Sequence, residues 1–236
     1  MREDITPIVM TTYNRADYLR RSIESLENSD ADLRHFYIFD DCSDQKEKIT
    51  LLDGLQKKYK VEMSTENQGT VKNTVPNIYR IYDLYKTDVF LLQDDIVLNK
   101  NWYSKAVDLF REIKNKHHKI GMMSLYNRTM PVDVEYSIMR HGHPGFVANI
   151  FSSDFLEDYK EKWDINDYII DAIPDNAKVI GHKIRNLVDY KFCNRLHRME
   201  WNIAVIGKSL VQHTGKISTL SNKDMGFCTI NNFVGE

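Results

Sequence analysis

The sequence predicts an α/β fold: a mostly parallel central sheet flanked by helices, with a small mixed part toward the C-terminus. Two observations carry this. Short β-branched apolar runs alternate with helical stripes through the first half, the pattern of strand–helix–strand units with right-handed crossovers. These runs also end in polar clusters, at Asn14-Arg15, Asp40-Asp41 and Asp94-Asp95, as expected where strand carboxyl ends line a ligand crevice.

The elements follow in order. Ile5 to Thr12 is apolar and β-branched, which suits a buried strand, and Leu19, Ile23 and Leu26 then fall on one helical face. Phe36 to Phe39 is a second strand, stopped by the turn-forming run Asp40-Asp41-Cys42-Ser43-Asp44. Ile49, Leu52, Leu55 and Tyr59 trace the next helix, and Val61 to Met63 is a weak strand ending near Asn67-Gln68-Gly69. Val71, Val75, Ile78, Tyr82 and Tyr85 mark a helix, and Val89 to Leu92 is the strongest strand of all. Ala106, Leu109, Phe110 and Ile113 form a helix before the strand Ile120 to Leu125.

The remainder is less regular. Asn127 to Pro144 reads as an excursion over the sheet, Phe146 to Phe151 as a strand, and Asp154 to Lys162 and Asp175 to Leu187 as helices. Trp201 to Ile206 and Leu210 to Gln212 are short closing strands, and Thr214 to Gly226 is a polar candidate for a mobile loop. No repeat or Pro/Gly linker divides the 236 residues, so a single domain 1–236 is expected.

Composition narrows the class. Lys plus Arg number 32 against 34 Asp plus Glu, a formal charge of −2, which argues against a dedicated nucleic-acid coat or polybasic membrane binder. Cys42, Cys193 and Cys228 are too scattered for a disulfide framework or a zinc knuckle. The acidic start, Met1-Arg2-Glu3-Asp4, lacks the layout of a secretion signal, and no run approaches the ~18 apolar residues that cross a bilayer. A cytoplasmic protein with no membrane partner is the expectation.

The chemistry concentrates on Asp94-Asp95, two carboxylates delivered to an open edge by an apolar strand. Adjacent anions repel, and a divalent cation with oxygen ligands, Mg²⁺ or Mn²⁺, resolves the repulsion. A pair of helix-capping aspartates is the plain alternative. The chain has neither a Walker-type glycine loop nor a GxGxxG, which excludes nucleotide binding by those devices.

Five motifs stand in a familiar order: Thr11-Thr12-Tyr13-Asn14-Arg15, Asp40 to Asp44, Asn67-Gln68-Gly69, Gln93-Asp94-Asp95, and Ser209-Leu210-Val211-Gln212-His213-Thr214-Gly215. Together they resemble the signature of GT-A nucleotide-sugar glycosyltransferases of the family-2-like group, over Ile5 to Asp95 and again over Val205 to Ser218. The resemblance implies a single GT-A (Rossmann-like) domain, with residues 1–100 binding the nucleotide sugar and residues 101–236 the acceptor. It implies that Thr12 and Arg15 hold the base and phosphate side, that Asp40 accepts from the base, and that Asp41 reaches the ribose, with Asn67 beside them. Gln93-Asp94-Asp95 stands where the family has DxD. Gln at the first position departs from that pattern and removes one charge. Asp95 is then the metal ligand, completed by His213, with Lys216 near the diphosphate and Gly215 allowing a tight connection.

The implied activity is an inverting, metal-dependent transfer from a nucleotide sugar, taken as a UDP-sugar, to a hydroxyl acceptor. Such a transfer needs a base. The family places this carboxylate at the start of the helix before the final strands, which matches Asp175, with Asp171, Asp167 and Asp164 as rivals. The acceptor is either a glycan or a modified DNA base. For DNA, Arg185, Lys191, Arg195, His197 and Arg198 form a basic cluster with Tyr190 and Phe192 interleaved. His141-Gly142-His143 on a strand would place both rings on one face, as a metal pair needs, although no third ligand at metal spacing lies nearby; the alternative is a border of the acceptor pocket with Tyr136, Phe146 and Trp163. Cys42 is expected to be an inert thiol. The competing readings are a catalytically silent nucleotide- or carbohydrate-binding protein, and a nucleotidyltransferase.

Overall fold

A computed structural model describes residues 5–128, 130–160 and 188–215. The first half alternates strand and helix: β1 (Ile8–Thr12), α1 (Ala16–Glu27), β2 (Phe36–Asp40), α2 (Lys46–Leu55), β3 (Lys60–Met63), α3 (Gly69–Tyr85) and β4 (Val89–Gln93). A short strand β5 (Ile96–Leu98) and the helix α4 (Trp102–Lys116) follow, then β6 (Ile120–Ser124), β7 (Tyr136–Met139), β8 (Ala148–Phe151) and α5 (Ser153–Lys160). The described part ends with α6 (Val188–Arg198), β9 (Asn202–Ile206) and β10 (Val211–His213). The helix expected at Asp175 to Leu187 lies outside the described residues, as does most of the loop expected from Thr214 to Gly226.

Among the described residues eight strands form one sheet in the order β3-β2-β1-β4-β8-β6-β9-β7. β1 runs parallel to β2 and β4, β2 to β3, and β6 to β9, while β8 is antiparallel to β4 and β6 and β7 is antiparallel to β9. The sheet is therefore mixed and mostly parallel, as the alternating pattern predicts.

Side chains alternate between two cores, because successive strand residues point to opposite faces. Ile8, Met10, Ile38, Phe90 and Leu92 pack against Leu19, Ile23 and Leu26 of α1 and Trp102, Ala106 and Phe110 of α4. Val9, Phe39, Leu91 and Val205 pack on the other face against Val75 and Ile78 of α3, Phe155 of α5, and Phe192 and Leu196 of α6. Both faces are covered by helices, which is why the central strands read as continuous apolar runs.

The order also places a switch. From β1 the chain builds outward through β2 to β3, then returns to set β4 on the other side of β1. The crevice at such a reversal opens beyond the carboxyl ends of β1 and β4. Thr12 to Arg15 and Gln93 to Asp95 meet there.

Two parts differ from expectation. The excursion from Asn127 to Pro144 contains β7, an edge strand whose residues are all half-buried. Gly207 lets its lead-in approach, since a Cβ there would fall 1.7 Å from the Val134 carbonyl oxygen. The closing segment Val211–His213 pairs not with the main sheet but with β5, with His213 opposite Ile96.

Candidate active site

The loop after β1 takes an unusual path: Asn14 and Arg15 both have φ 52°, in the left-handed region that side chains rarely adopt. The neighbouring loop holds it. Asn14 N–H donates to Ser43 Oγ at 2.7 Å, Asp44 N–H donates to Asn14 Oδ1 at 3.2 Å, and Asp41 N–H donates to the Thr12 carbonyl at 3.0 Å. Such strain persists only where the surroundings over-determine it, and it clusters at functional sites.

The consequence is that Arg15 turns inward across both aspartates. Its Nη2 lies 2.6 Å from Asp94 Oδ1 and its Nη1 lies 2.8 Å from Asp95 Oδ2. Asp94 Oδ2 accepts from the Thr12 hydroxyl, which itself accepts from the ammonium of Lys48. Lys48 Nζ is also 3.6 Å from Asp94 Oδ2 and has no exposed surface. The motifs did not point to Lys48, although it occupies an inward position one turn before Leu52 on the stripe of α2.

The charges are matched internally. Burial pushes the Asp94 carboxyl up against the pull of Arg15 and Lys48. For Asp95, burial opposes ionisation, but His213 and Arg15 outweigh it and hold the carboxyl below its ordinary range. Arg15 is held above its ordinary range because Asp94 and Asp95 outweigh its own burial. Lys48 goes the other way, lowered by burial despite Asp94 and Asp40.

Two buried polar atoms in this network, Arg15 Nε and Asp95 Oδ1, are without a well-aligned hydrogen bond. Asp95 Oδ1 faces His213 Nε2 at 3.2 Å, an ion-pair contact. Gly215 closes over the pair: a Cβ there would lie 2.2 Å from Asp95 Oδ2 and 3.2 Å from His213 Nε2. The tail is anchored by Thr214, whose N–H and hydroxyl donate to the Asp95 carbonyl at 2.8 and 3.0 Å.

This donor set fits Mn²⁺ or Mg²⁺. Two ligand atoms on adjacent corners of an octahedral ion with bonds of ~2.1 Å lie about 3.0 Å apart, near the separation of Asp95 Oδ1 and His213 Nε2. The carboxylate oxygen suits either ion, and the imidazole nitrogen, a softer donor, favours Mn²⁺ over Mg²⁺. Among the described residues no third His, Cys, Asp or Glu joins them, so the other corners would fall to water and substrate oxygens.

The other expected residues take these places. Asp40 is 1% exposed, and its carboxylate accepts from Ser43 N–H at 2.8 Å and from the Ser43 hydroxyl. Asp41 accepts from the N–H groups of Gln68 and Gly69 at 2.7 and 2.9 Å, at the start of α3. Asn67 is exposed just before them. Gln93 is half-buried and donates its N–H to the Val147 carbonyl at 3.0 Å. Asp175 and Lys216 lie outside the described residues, as do Asp164, Asp167, Asp171, Trp163 and Arg185.

Two expectations for the acceptor side are corrected. His141 and His143 do not share a strand, because β7 ends at Met139 and a bend follows. His143 Nδ1 instead lies 3.3 Å from Asp189 Oδ2, and His197 Nε2 contacts the Gly142 carbonyl. Phe192 is fully buried in the core and presents no ring to a base. Among the described residues no helix is long and apolar enough to cross a membrane.

Residues 8–117 match Glycosyl transferase family 2. The S. aureus TarS structure superposes with a TM-score of 0.51 at 16% identity, covering 89% of this chain and 37% of TarS. S. aureus TarS 1-349 in complex with UDP-GlcNAc gives 0.53 at 17% identity, covering 90% and 59%. The mannosyltransferase PcManGT from Pyrobaculum calidifontis, in complex with GDP-Man and Mn2+, gives 0.55 at 12% identity, covering 86% and 56%. This chain therefore spans less than two thirds of the length of each, and the likeness is one of fold. No curated protein matches it in sequence.

Proposed function

We propose, from the match of residues 8–117 to Glycosyl transferase family 2, that the chain transfers a sugar from a nucleotide sugar, a UDP-sugar, to a hydroxyl acceptor with inversion. The observation that carries the reading is the pair formed by the buried Asp95 Oδ1 and His213 Nε2, 3.2 Å apart beneath Gly215. A buried carboxylate oxygen whose polar contact is a single imidazole nitrogen keeps a lone pair to spare, which a bound cation would fill. The relatives with UDP-GlcNAc and with GDP-Man and Mn2+ agree with a donor of this class.

In this reading Asp95 and His213 hold the cation. Charge building on the departing diphosphate is what a bound divalent cation offsets. Arg15 and Lys48 neutralise Asp94 and fix its partner Asp95, so the carboxylate presented to the cation is set in place before the donor arrives. Thr12 braces Asp94, and the loops of Asp40, Asp41 and Asn67 border the nucleoside side of the crevice. Lys216 follows Gly215 in sequence and serves the diphosphate. Asp175 takes the proton from the acceptor hydroxyl.

One observation favours a second candidate for that base. Asp189 stands in the first turn of α6, and its Oδ2 lies 3.3 Å from His143 Nδ1, a carboxylate–imidazole pair. Asp175→Asn and Asp189→Asn separate the two: the true base loses about 10²–10⁴-fold in turnover while retaining donor binding. A glycan hydroxyl is the preferred acceptor over a DNA base, because the interleaved ring of Phe192 is buried.

The direct test is donor turnover. With Mn²⁺ present the protein should release UDP from a UDP-sugar, and Asp95→Asn and His213→Ala should each abolish release while circular dichroism stays native. Near-normal release by both variants contradicts the assignment. UDP binding without any release would point to a silent binding protein.

A further inference from the structure

The strand β5 is three residues long, yet both of its edges are bonded. On one side it pairs with β10, which sets His213 opposite Ile96. On the other side no strand lies alongside among the described residues. Helix α1 takes that place through two serines one turn apart. Ile96 N–H donates to Ser22 Oγ at 2.9 Å, and the Ser22 hydroxyl reaches the carbonyls of Asp94 and Ile96, each at 2.8 Å. Leu98 N–H donates to Ser25 Oγ at 2.6 Å, and the Ser25 hydroxyl faces the Leu98 carbonyl at 3.4 Å. Ser22 has no exposed surface.

We propose that Ser22 and Ser25 are positioning residues for the donor site: a hydroxyl ladder that replaces a neighbouring strand and fixes β5, and through it both Asp95 and His213. The argument is one of geometry. A three-residue strand with one bonded edge frays easily, since each backbone bond contributes only about 1 kcal/mol. Asp95 precedes β5 directly, and His213 is placed by its register with β5 and by Thr214, which bonds the Asp95 carbonyl next to that strand. Any slip of β5 therefore changes the separation of Asp95 Oδ1 and His213 Nε2, which is 3.2 Å. Serine is suited to this task, because its one oxygen accepts from an N–H and donates to a carbonyl, as a strand residue would. Spacing of three residues on a helix brings both hydroxyls to one face.

This rests on the metal-site reading above, and the test keeps the two apart. Ser22→Ala, Ser25→Ala and the double variant are compared with Ile23→Val, a core change on the same helix that controls for general destabilisation. Two quantities are read: Mn²⁺ affinity in the presence of saturating UDP, by titration calorimetry, and amide hydrogen exchange at Ile96 and Leu98. The double variant should exchange both amides faster and bind Mn²⁺ about tenfold more weakly or worse, the usual scale for losing a group that orients a metal ligand. Ile23→Val should change neither. Wild-type protein that binds Mn²⁺ with UDP, beside a folded double variant that binds equally well, overturns the ladder alone. Wild-type protein that binds no Mn²⁺ with UDP overturns the metal-site reading and the ladder's role with it.

Discussion

Lys48 shows what a single residue can reveal and conceal. Its ammonium has no exposed surface and closes the chain from Thr12 through Asp94 and Arg15 to Asp95. A lysine on a helix is ordinarily solvated, so nothing in the local pattern separates this one from the rest. Only its phase, one turn before Leu52, marks it as inward. Breaking a buried pair leaves the other charge uncompensated, and Lys48→Met should lower unfolding free energy by about 3 kcal/mol in urea melts. Asp94→Asn should cost less in that background than in wild type, with a coupling above about 1 kcal/mol. Simple additivity of the two would contradict a direct Lys48–Asp94 interaction. Gly215 makes the complementary case. Its Cβ would intrude 2.2 Å from Asp95 Oδ2, so Gly215→Ala should weaken Mn²⁺ binding at least tenfold by calorimetry, with little change in Tm. Unchanged binding would mean that the tail does not close over Asp95. Asp95 and His213 were legible because each sits in a motif with its own spacing. Ser22 and Lys48 belong to no motif, and only the folded arrangement shows what they touch.

Among the elements, legibility followed length and burial. β1, β2, β4 and the helices α1, α3 and α4 have long periodic apolar patterns that only one structure satisfies. β5 and β7 do not. β5 is three residues held by distant partners, and β7 is a half-buried edge strand that alternates weakly and follows a turn-rich stretch. The sequence marks the stretch that forms α6 as a basic cluster with interleaved rings, and Arg195, His197 and Arg198 do close its last turn. Phe192, Cys193 and Leu196 nevertheless form a buried stripe under them. The start of α3 carries a prediction of its own. Asp41 accepts from Gln68 and Gly69 N–H groups that the helix leaves without a partner. Asp41→Ala should cost about 1 kcal/mol in thermal or urea melts, the usual cost of losing such a carboxylate. A stability unchanged within 0.3 kcal/mol (about the additive error of such measurements) would mean that water replaces the carboxylate fully.

For the molecule as a whole, the decisive feature is topological. A strand order that reverses at β1 opens a crevice between β1 and β4, and a returning tail pairs with β5 above it. Carboxylates from mid-chain and an imidazole from beyond β9 thereby meet across more than a hundred residues of sequence. The strand-end clusters made the crevice legible from the sequence. The path of the tail was not, since β10 is too short to announce its partner. A chelator should therefore remove donor turnover without unfolding the protein, and added Mn²⁺ should restore it. The most direct measurement is a crystal structure with Mn²⁺ and UDP bound. The account predicts a manganese ion bonded to Asp95 Oδ1 and His213 Nε2 and to diphosphate oxygens, with Arg15 still across Asp94. A nucleotide bound away from both side chains, or an ion that touches neither, would contradict it.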